Sequence, residues 1–157
     1  MLREADIEAQ PVLISTRDHG LRQMAYPLVS QFNYVVALAE TDGSGVWLDA
    51  TDPMRPLGML PEDALTGIGW VPDKDDMRWL QVNPAERATR VVNFEANLDE
   101  AGTLTAALRI RAEGYDAVCM RRAAANSSPE ALMREYLSDV PGLVLDSARV
   151  EHLCDLN

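Results

Sequence analysis

Tyr34 and Asp49 are the two side chains of this sequence whose types and spacing could do chemistry together. They flank an Asp42-Gly43 pair between two apolar runs, which is the strongest short-range signal for a β-hairpin. If the turn is centred on that pair, each even-numbered residue faces an odd-numbered one, so Tyr34 and Asp49 project from the same face of the sheet. We expect them to lie diagonally, roughly 7–8 Å apart, within reach of an aromatic side chain.

A carboxylate next to a phenol does not have the chemistry of a nucleophilic catalyst. Activation of a thiol requires a base that accepts its proton at neutral pH, and imidazole is such a base when a carboxylate orients it. A tyrosine hydroxyl has a pKa of about 10 and keeps its own proton. We therefore expect Asp49 to accept hydrogen bonds from the hairpin or from Tyr34, in a structural role.

Four strings of this sequence resemble a known family. QFN-x-VVAL and WLDATD resemble the last strands of a transglutaminase-like domain, a papain-related fold with a Cys-His-Asp site. PLGMLPE and IEAQPVLISTRDHG resemble the family too, although Ala5-Asp6 stands where the family has an Ala-Gly turn. The resemblance places Asp49 at the family's Asp and Tyr34 at the family's His. The family's nucleophilic Cys would lie upstream of this chain.

This resemblance implies a domain organisation and a function. The chain would be a piece of a bacterial transglutaminase-like protein, truncated at both ends, whose parent is periplasmic or in the cell envelope. Residues 1–83 would be the C-terminal half of the core, and residues 84–157 an α+β module like the β-rich domain that follows it. The chain would be a pseudoenzyme without a cofactor, acting in binding or assembly. Its partner would be the missing N-terminal half, a second copy, or a peptide or protein.

Two alternatives remain open. The intact protein could be an active cysteine peptidase or transglutaminase that takes its base from elsewhere, and His19 is the candidate in the first half of the chain. An exposed loop position is the simpler interpretation of that histidine. The chain could also be an unrelated α+β interaction domain.

Periodicity and turn signals predict the α+β class: an antiparallel sheet followed by a β-β-α-α-β module. The long hairpin of that module alternates apolar and charged residues, which predicts one half-buried face. The predicted helices cover residues 2–9, 115–125 and 130–139, with a short one from Pro61; the predicted strands cover residues 10–16, 34–39, 46–48, 67–71, 77–82, 90–98, 103–112 and 143–153.

The charge and hydropathy of the chain exclude several classes of partner. A formal net charge of −11 argues against nucleic acids and anionic membrane surfaces. No apolar run approaches the roughly 18 residues that a membrane span requires. The chain also does not begin with the basic residues and apolar core of a signal peptide. We expect no membrane insertion.

The residues that could bind a metal are scattered. Cys119 and Cys154 have no C-x-x-C spacing, and His19 and His152 lie far apart without clustered partners. The acidic segment 72–76 lacks the alternating ligands, central Gly and final Glu of an EF-hand. We expect no metal site and two buried free thiols, with a disulfide as the alternative.

Overall fold

The computed structural model of the chain describes residues 7–20, 22–41, 43–73, 77–83, 86–153 and 155. Contacts divide the chain into two compact units, with the division between residues 85 and 86. The first unit contains a five-stranded antiparallel sheet, and the second contains a two-stranded sheet and two α-helices. The predicted α+β class is confirmed.

The sheet of the first unit is built from two hairpins joined through one strand. Its order is β3-β2-β1-β4-β5, so the first strand along the chain lies in the middle. The strands are β1 (Glu8–Ile14), β2 (Tyr34–Thr41), β3 (Ser44–Leu48), β4 (Gly67–Val71) and β5 (Arg78–Val82).

The hairpin β2–β3 has the register that its turn signal predicts. Leu38 faces Trp47 and Thr41 faces Ser44, so even-numbered residues face odd-numbered ones throughout. Gly43 has a φ of +78°, in the left-handed region that a tight hairpin turn requires and that glycine adopts without strain. Residue 42 lies outside the described part of the chain.

The core of the first unit lies against one face of the sheet. Loop residues 50–66 carry three prolines, which exclude a regular helix or central strand up to Pro61. Leu60 and Ala64 are 2% and 0% exposed, so this loop covers the sheet, and the short helix predicted from Pro61 is a 3-10 turn over Glu62–Ala64. The core cluster contains Val12, Ile14, Val36, Leu60, Ala64, Val71 and Val82.

Trp70 and Trp79 belong to an aromatic cluster in the first unit. They are directly paired across β4 and β5, and Trp70 is only 7% exposed. Phe32 stacks on Trp70 with ring centroids 5.3 Å apart and lies 6.1 Å from the ring of Trp79. Because the Phe32 ring packs against both indole rings, the tryptophans serve packing rather than an exposed aromatic site.

The second unit begins with a long two-stranded ribbon. Its strands β6 (Thr89–Leu98) and β7 (Leu104–Glu113) pair along their whole length, close to the predicted bounds. Helices α1 (Tyr115–Asn126) and α2 (Pro129–Tyr136) follow. At the start of the second helix, the Ser128 side chain accepts a hydrogen bond from the backbone N–H of Ala131 at 3.2 Å, and Pro129 occupies the first turn.

The apolar face of this ribbon differs from the prediction. Val92 pairs with Ile110 and Phe94 pairs with Leu108, so the expected side chains do share a face. Phe94 is nevertheless 61% exposed and Leu98 66% exposed, so this face is exposed along β6, whereas Leu108 and Ile110 on β7 are partly buried. Alternation fixes which residues share a face, but burial also needs a layer to cover that face.

Three other predictions are wrong. The strand predicted over residues 143–153 does not form, and Val144 is 82% exposed, because an alternating segment becomes a strand only when it pairs with an edge. The module is therefore β-β-α-α.

The helix predicted over residues 2–9 is contradicted at Glu8 and Ala9, which pair with β2, since tertiary pairing overrides helix propensity. Residues 2–6 lie outside the described residues. Cys119 is free but exposed on α1 rather than buried.

Candidate functional site

Tyr34 and Asp49 meet as the hairpin register predicts. Tyr34 begins β2, and Asp49 follows directly on the last residue of β3. The Tyr34 hydroxyl donates a hydrogen bond to Asp49 Oδ2 at 2.8 Å. The two side chains therefore lie on the same face of the sheet and in direct contact.

Two further residues complete this site. The Arg55 Nη1 atom lies 2.6 Å from Asp49 Oδ2, and the Thr51 backbone N–H donates to Asp49 Oδ1 at 2.9 Å. The side chains of Arg55 and Asp49 are 5% and 2% exposed. The Thr51 hydroxyl lies 2.8 Å from the Tyr34 hydroxyl. We call Tyr34, Asp49, Thr51 and Arg55 the Asp49 cluster.

The direction of each hydrogen bond in the Asp49 cluster follows from the supply of protons. Tyr34 has one hydroxyl proton, which it donates to Asp49. The Thr51 hydroxyl must therefore donate to the Tyr34 oxygen. Arg55 Nη1 lies 3.5 Å from the Thr51 hydroxyl oxygen in addition to its contact with Asp49. The four residues form a closed ring in which every donor at the centre has an acceptor.

Both ionisable groups of the pair are held in their neutral-pH states. Burial alone would raise the pKa of Asp49, but hydrogen bonds from Thr51 and Tyr34 and the charge of Arg55 outweigh it and lower that pKa below the ordinary value. Burial raises the pKa of Tyr34 above the ordinary phenol value, and the negative charge of Asp49 acts in the same direction. Asp49 is therefore a carboxylate and Tyr34 a neutral phenol over the whole physiological pH range.

Sequence reasoning found Tyr34 and Asp49 but missed Thr51 and Arg55. The local signal was present: Asp and Asn side chains bind the backbone N–H two residues on and so make tight turns. Asp49 does so with Thr51, and Asp52 does so with Met54 at 2.9 Å. These two successive turns bring the chain back so that Arg55 reaches the carboxylate six residues before it.

An open depression borders the Asp49 cluster. Its volume is about 740 Å³, and it lies against the face of the sheet that carries Val35, which is 59% exposed. Asp49 and Thr51 form part of its wall. The floor is apolar, with Pro11, Val35, Ala37, Leu48 and Ala50. Because Val35 and Tyr34 are consecutive residues of β2, this floor lies on the opposite face of the sheet from the Asp49 carboxylate.

The other candidate residues lie elsewhere. The His19 ring nitrogen Nε2 is 3.4 Å from the Ser30 carbonyl oxygen, and the hydrogen bonds to Asp49 come from the cluster rather than from this histidine. His152 Nδ1 contacts Asp155 Oδ2 at 2.7 Å on an exposed segment. Cys154 lies outside the described residues. Across the described ranges, no group of three or more His, Cys, Asp or Glu side chains could hold a metal ion.

Comparison with known proteins gives no relative for this chain: no family model, no curated protein and no solved structure matches it. Within the part of the chain that the structure describes, neither helix has the length and apolar character needed to span a membrane.

Proposed function

We propose that this chain is a non-catalytic binding or assembly module of transglutaminase-like ancestry, with the Asp49 cluster as a structural remnant of a Cys-His-Asp site. The proposal rests on one observation: the Asp49 carboxylate accepts its three hydrogen bonds from the Tyr34 hydroxyl, the Thr51 backbone N–H and Arg55, and no described histidine is among its donors. An orienting carboxylate in a Cys-His-Asp site accepts a hydrogen bond from the imidazole that it holds, and at Asp49 a phenol donates instead.

The protonation states of the cluster support the same proposal. A general base must accept a proton near the operating pH. Tyr34 has a raised pKa and already donates its only hydroxyl proton to Asp49. Asp49 has a lowered pKa and is paired with Arg55, so protonating it would break a buried ion pair. Neither group is suited to accept a proton from a thiol.

Assembly is supported by the ribbon of the second unit. Among the described residues, β6 and β7 pair only with each other, which leaves an outer edge ten residues long on each strand. An unpaired edge is a template for another strand. A second copy of this chain is the partner that we propose, because an antiparallel edge can pair with its own copy around a two-fold axis.

Catalysis is tested by measuring amide hydrolysis, and transfer of a glutamine acyl group to a primary amine, with the whole chain. We expect no turnover above that of an Asp49→Asn variant. Robust activity of the unmodified chain that Asp49→Asn abolishes would overturn the proposal.

Assembly is tested by sedimentation velocity across a range of protein concentrations. We expect a concentration-dependent dimer that Leu98→Ser, in the ribbon, shifts toward monomer. Val144 is also exposed but lies outside the ribbon, so Val144→Ser is the matched control and should leave the dimer unchanged. A monomer at every concentration would refute self-association.

A further inference from the structure

A second depression in the first unit carries positive charge in an otherwise acidic chain. It has a volume of about 580 Å³ and lies between the loop that follows β1 and the start of β4. It is separate from the Asp49 cluster and shares no lining residue with the depression beside Asp49. Its principal lining side chains are Thr16, Arg17, Arg22, Met24, Thr66 and Ile68.

The two arginines of this depression have no acidic partner among the residues that the structure describes. The chain has 25 acidic residues and 14 lysines and arginines, so an arginine without a carboxylate is unexpected. Neither Arg17 nor Arg22 forms an ion pair within the described residues, and no carboxylate lines the depression. The nearby Asp18 carboxylate accepts a hydrogen bond from the Thr16 hydroxyl instead.

Backbone carbonyl groups hold both guanidinium groups in place. The Arg22 Nη2 atom donates to the Thr66 carbonyl oxygen at 2.6 Å, and the Arg17 Nη2 atom lies 3.4 Å from the Leu65 carbonyl oxygen. The Arg17 backbone N–H also donates to the Asp63 carbonyl oxygen at 3.0 Å. Because the carbonyl groups use only part of the five donors of each arginine, donors remain for a ligand.

Two polar atoms at this site are buried without a partner. The Arg22 Nε atom and the Thr66 hydroxyl oxygen are inaccessible to solvent and form no hydrogen bond among the described residues. A buried donor that is left unsatisfied destabilises a fold, and such atoms in native proteins call for an explanation. Burial also lowers the pKa of Arg22, in keeping with a guanidinium that has lost water and gained no anion.

We propose that Arg17, Arg22 and Thr66 form a binding site for the carboxylate of a small monoanionic ligand with a short aliphatic chain. A guanidinium matches a carboxylate with two parallel hydrogen bonds, and the ligand reaches the Thr66 hydroxyl as a further donor when the side chains that cover this hydroxyl move on binding. Met24 and Ile68 line the same depression and provide an apolar wall for the aliphatic chain. The net charge of −11 favours a single negative charge over the double charge of a phosphate. This site does not depend on the proposed role of the Asp49 cluster.

Isothermal titration calorimetry of the whole chain with sodium hexanoate tests the site. We expect saturable binding of hexanoate, no binding of hexanamide, which lacks the charge, and weaker binding of inorganic phosphate. A peptide with a free C-terminal leucine, compared with its amide, tests whether the carboxylate can come from a chain end. Absence of saturable hexanoate binding, or tighter binding of phosphate, would overturn the proposal.

Three variants locate the binding. Arg22→Met should weaken hexanoate binding by about tenfold or more, since hydrogen bonds to a charged group are lost. Thr66→Val removes the hydroxyl, leaves both carbonyl contacts and should weaken hexanoate binding severalfold. If circular dichroism shows that Arg22→Met does not fold, Thr66→Val still tests the site. Arg109→Met, on the exposed ribbon, is the matched control and should change nothing. Equal affinity of all three variants and the unmodified chain would place the binding elsewhere and refute the site.

Discussion

Arg55 and Asp49 form an ion pair with a separation of 2.6 Å, in which both side chains are almost completely shielded from solvent. Removing one partner of such a pair leaves the other charge buried and uncompensated. We expect Arg55→Met to lower the free energy of unfolding by about 3 kcal/mol, measured by urea denaturation. Arg111→Met removes an arginine whose ion pair with Glu113 is exposed, and this control should leave stability nearly unchanged. Equal losses in the two variants would contradict this account of the pair.

The stability of the first unit should fall in acid through Asp49. The folded-state pKa of this carboxyl group lies below its ordinary value of 3.8, so the unfolded chain binds a proton before the folded one does. The resulting stabilisation is complete above the ordinary value and is lost as the pH falls through the lowered one. Urea denaturation at a series of pH values should give free energies of unfolding for the unmodified chain and for Asp49→Asn that converge as the pH falls. Parallel curves would contradict the lowered pKa.

Tyr34 should lose its proton at a higher pH than an ordinary tyrosine in an alkaline titration. The chain has four tyrosines, and burial next to Asp49 raises the pKa of this one. Ultraviolet absorbance should show a component that titrates above pH 10, roughly the ordinary phenol value, and Tyr34→Phe should remove it. Because the folded-state pKa is raised, the associated stability is present below the ordinary value and is lost as the pH rises through the raised one.

The hydroxyl of Tyr34 should contribute to stability at neutral pH as well. Tyr34→Phe takes one donor from a carboxylate that keeps its bonds to Thr51 and Arg55, so we expect a loss of about 1 kcal/mol in urea denaturation. Tyr26 is 75% exposed, and Tyr26→Phe is the matched control. A loss no larger than that of the control would show that the hydrogen bond to Asp49 contributes nothing.

Gly69 should not tolerate a side chain. A Cβ atom at this position would lie 2.6 Å from Val12 Cγ1 and 3.2 Å from Val82 Cγ2, both in the core. We expect Gly69→Ala to cost about 1–3 kcal/mol in urea denaturation, because the surrounding side chains must move. Gly45→Ala meets only the end of the Leu38 side chain at 3.1 Å, and it should cost less. A larger loss of stability for Gly45→Ala than for Gly69→Ala would contradict the close packing of β4 on β1.

The sequence predicted those parts of the fold that depend on residues close together in the chain. The turn at Gly43 set the register that brings Tyr34 to Asp49, and Ser128 with Pro129 set the start of α2. Contacts that depend on successive tight turns were not predictable from periodicity, and Arg55 was missed for that reason.

The sequence also could not supply partners for its apolar segments. Residues 143–153 alternate as a strand does, but strand formation depends on a free edge at the right place. The ribbon likewise has the predicted faces without a covering layer at Phe94 and Leu98. The transglutaminase-like origin stays a prediction, since it rests on short strings alone.

The central position of β1 makes the sheet depend on one short segment. Strands β2 and β3, and strands β4 and β5, are local hairpins, and within the described ranges β1 is the only strand that pairs with both. An isolated two-stranded hairpin is at best marginally stable in water. Deleting residues up to Ile14 would therefore divide the first unit into two fragments of sheet, neither able to persist by itself.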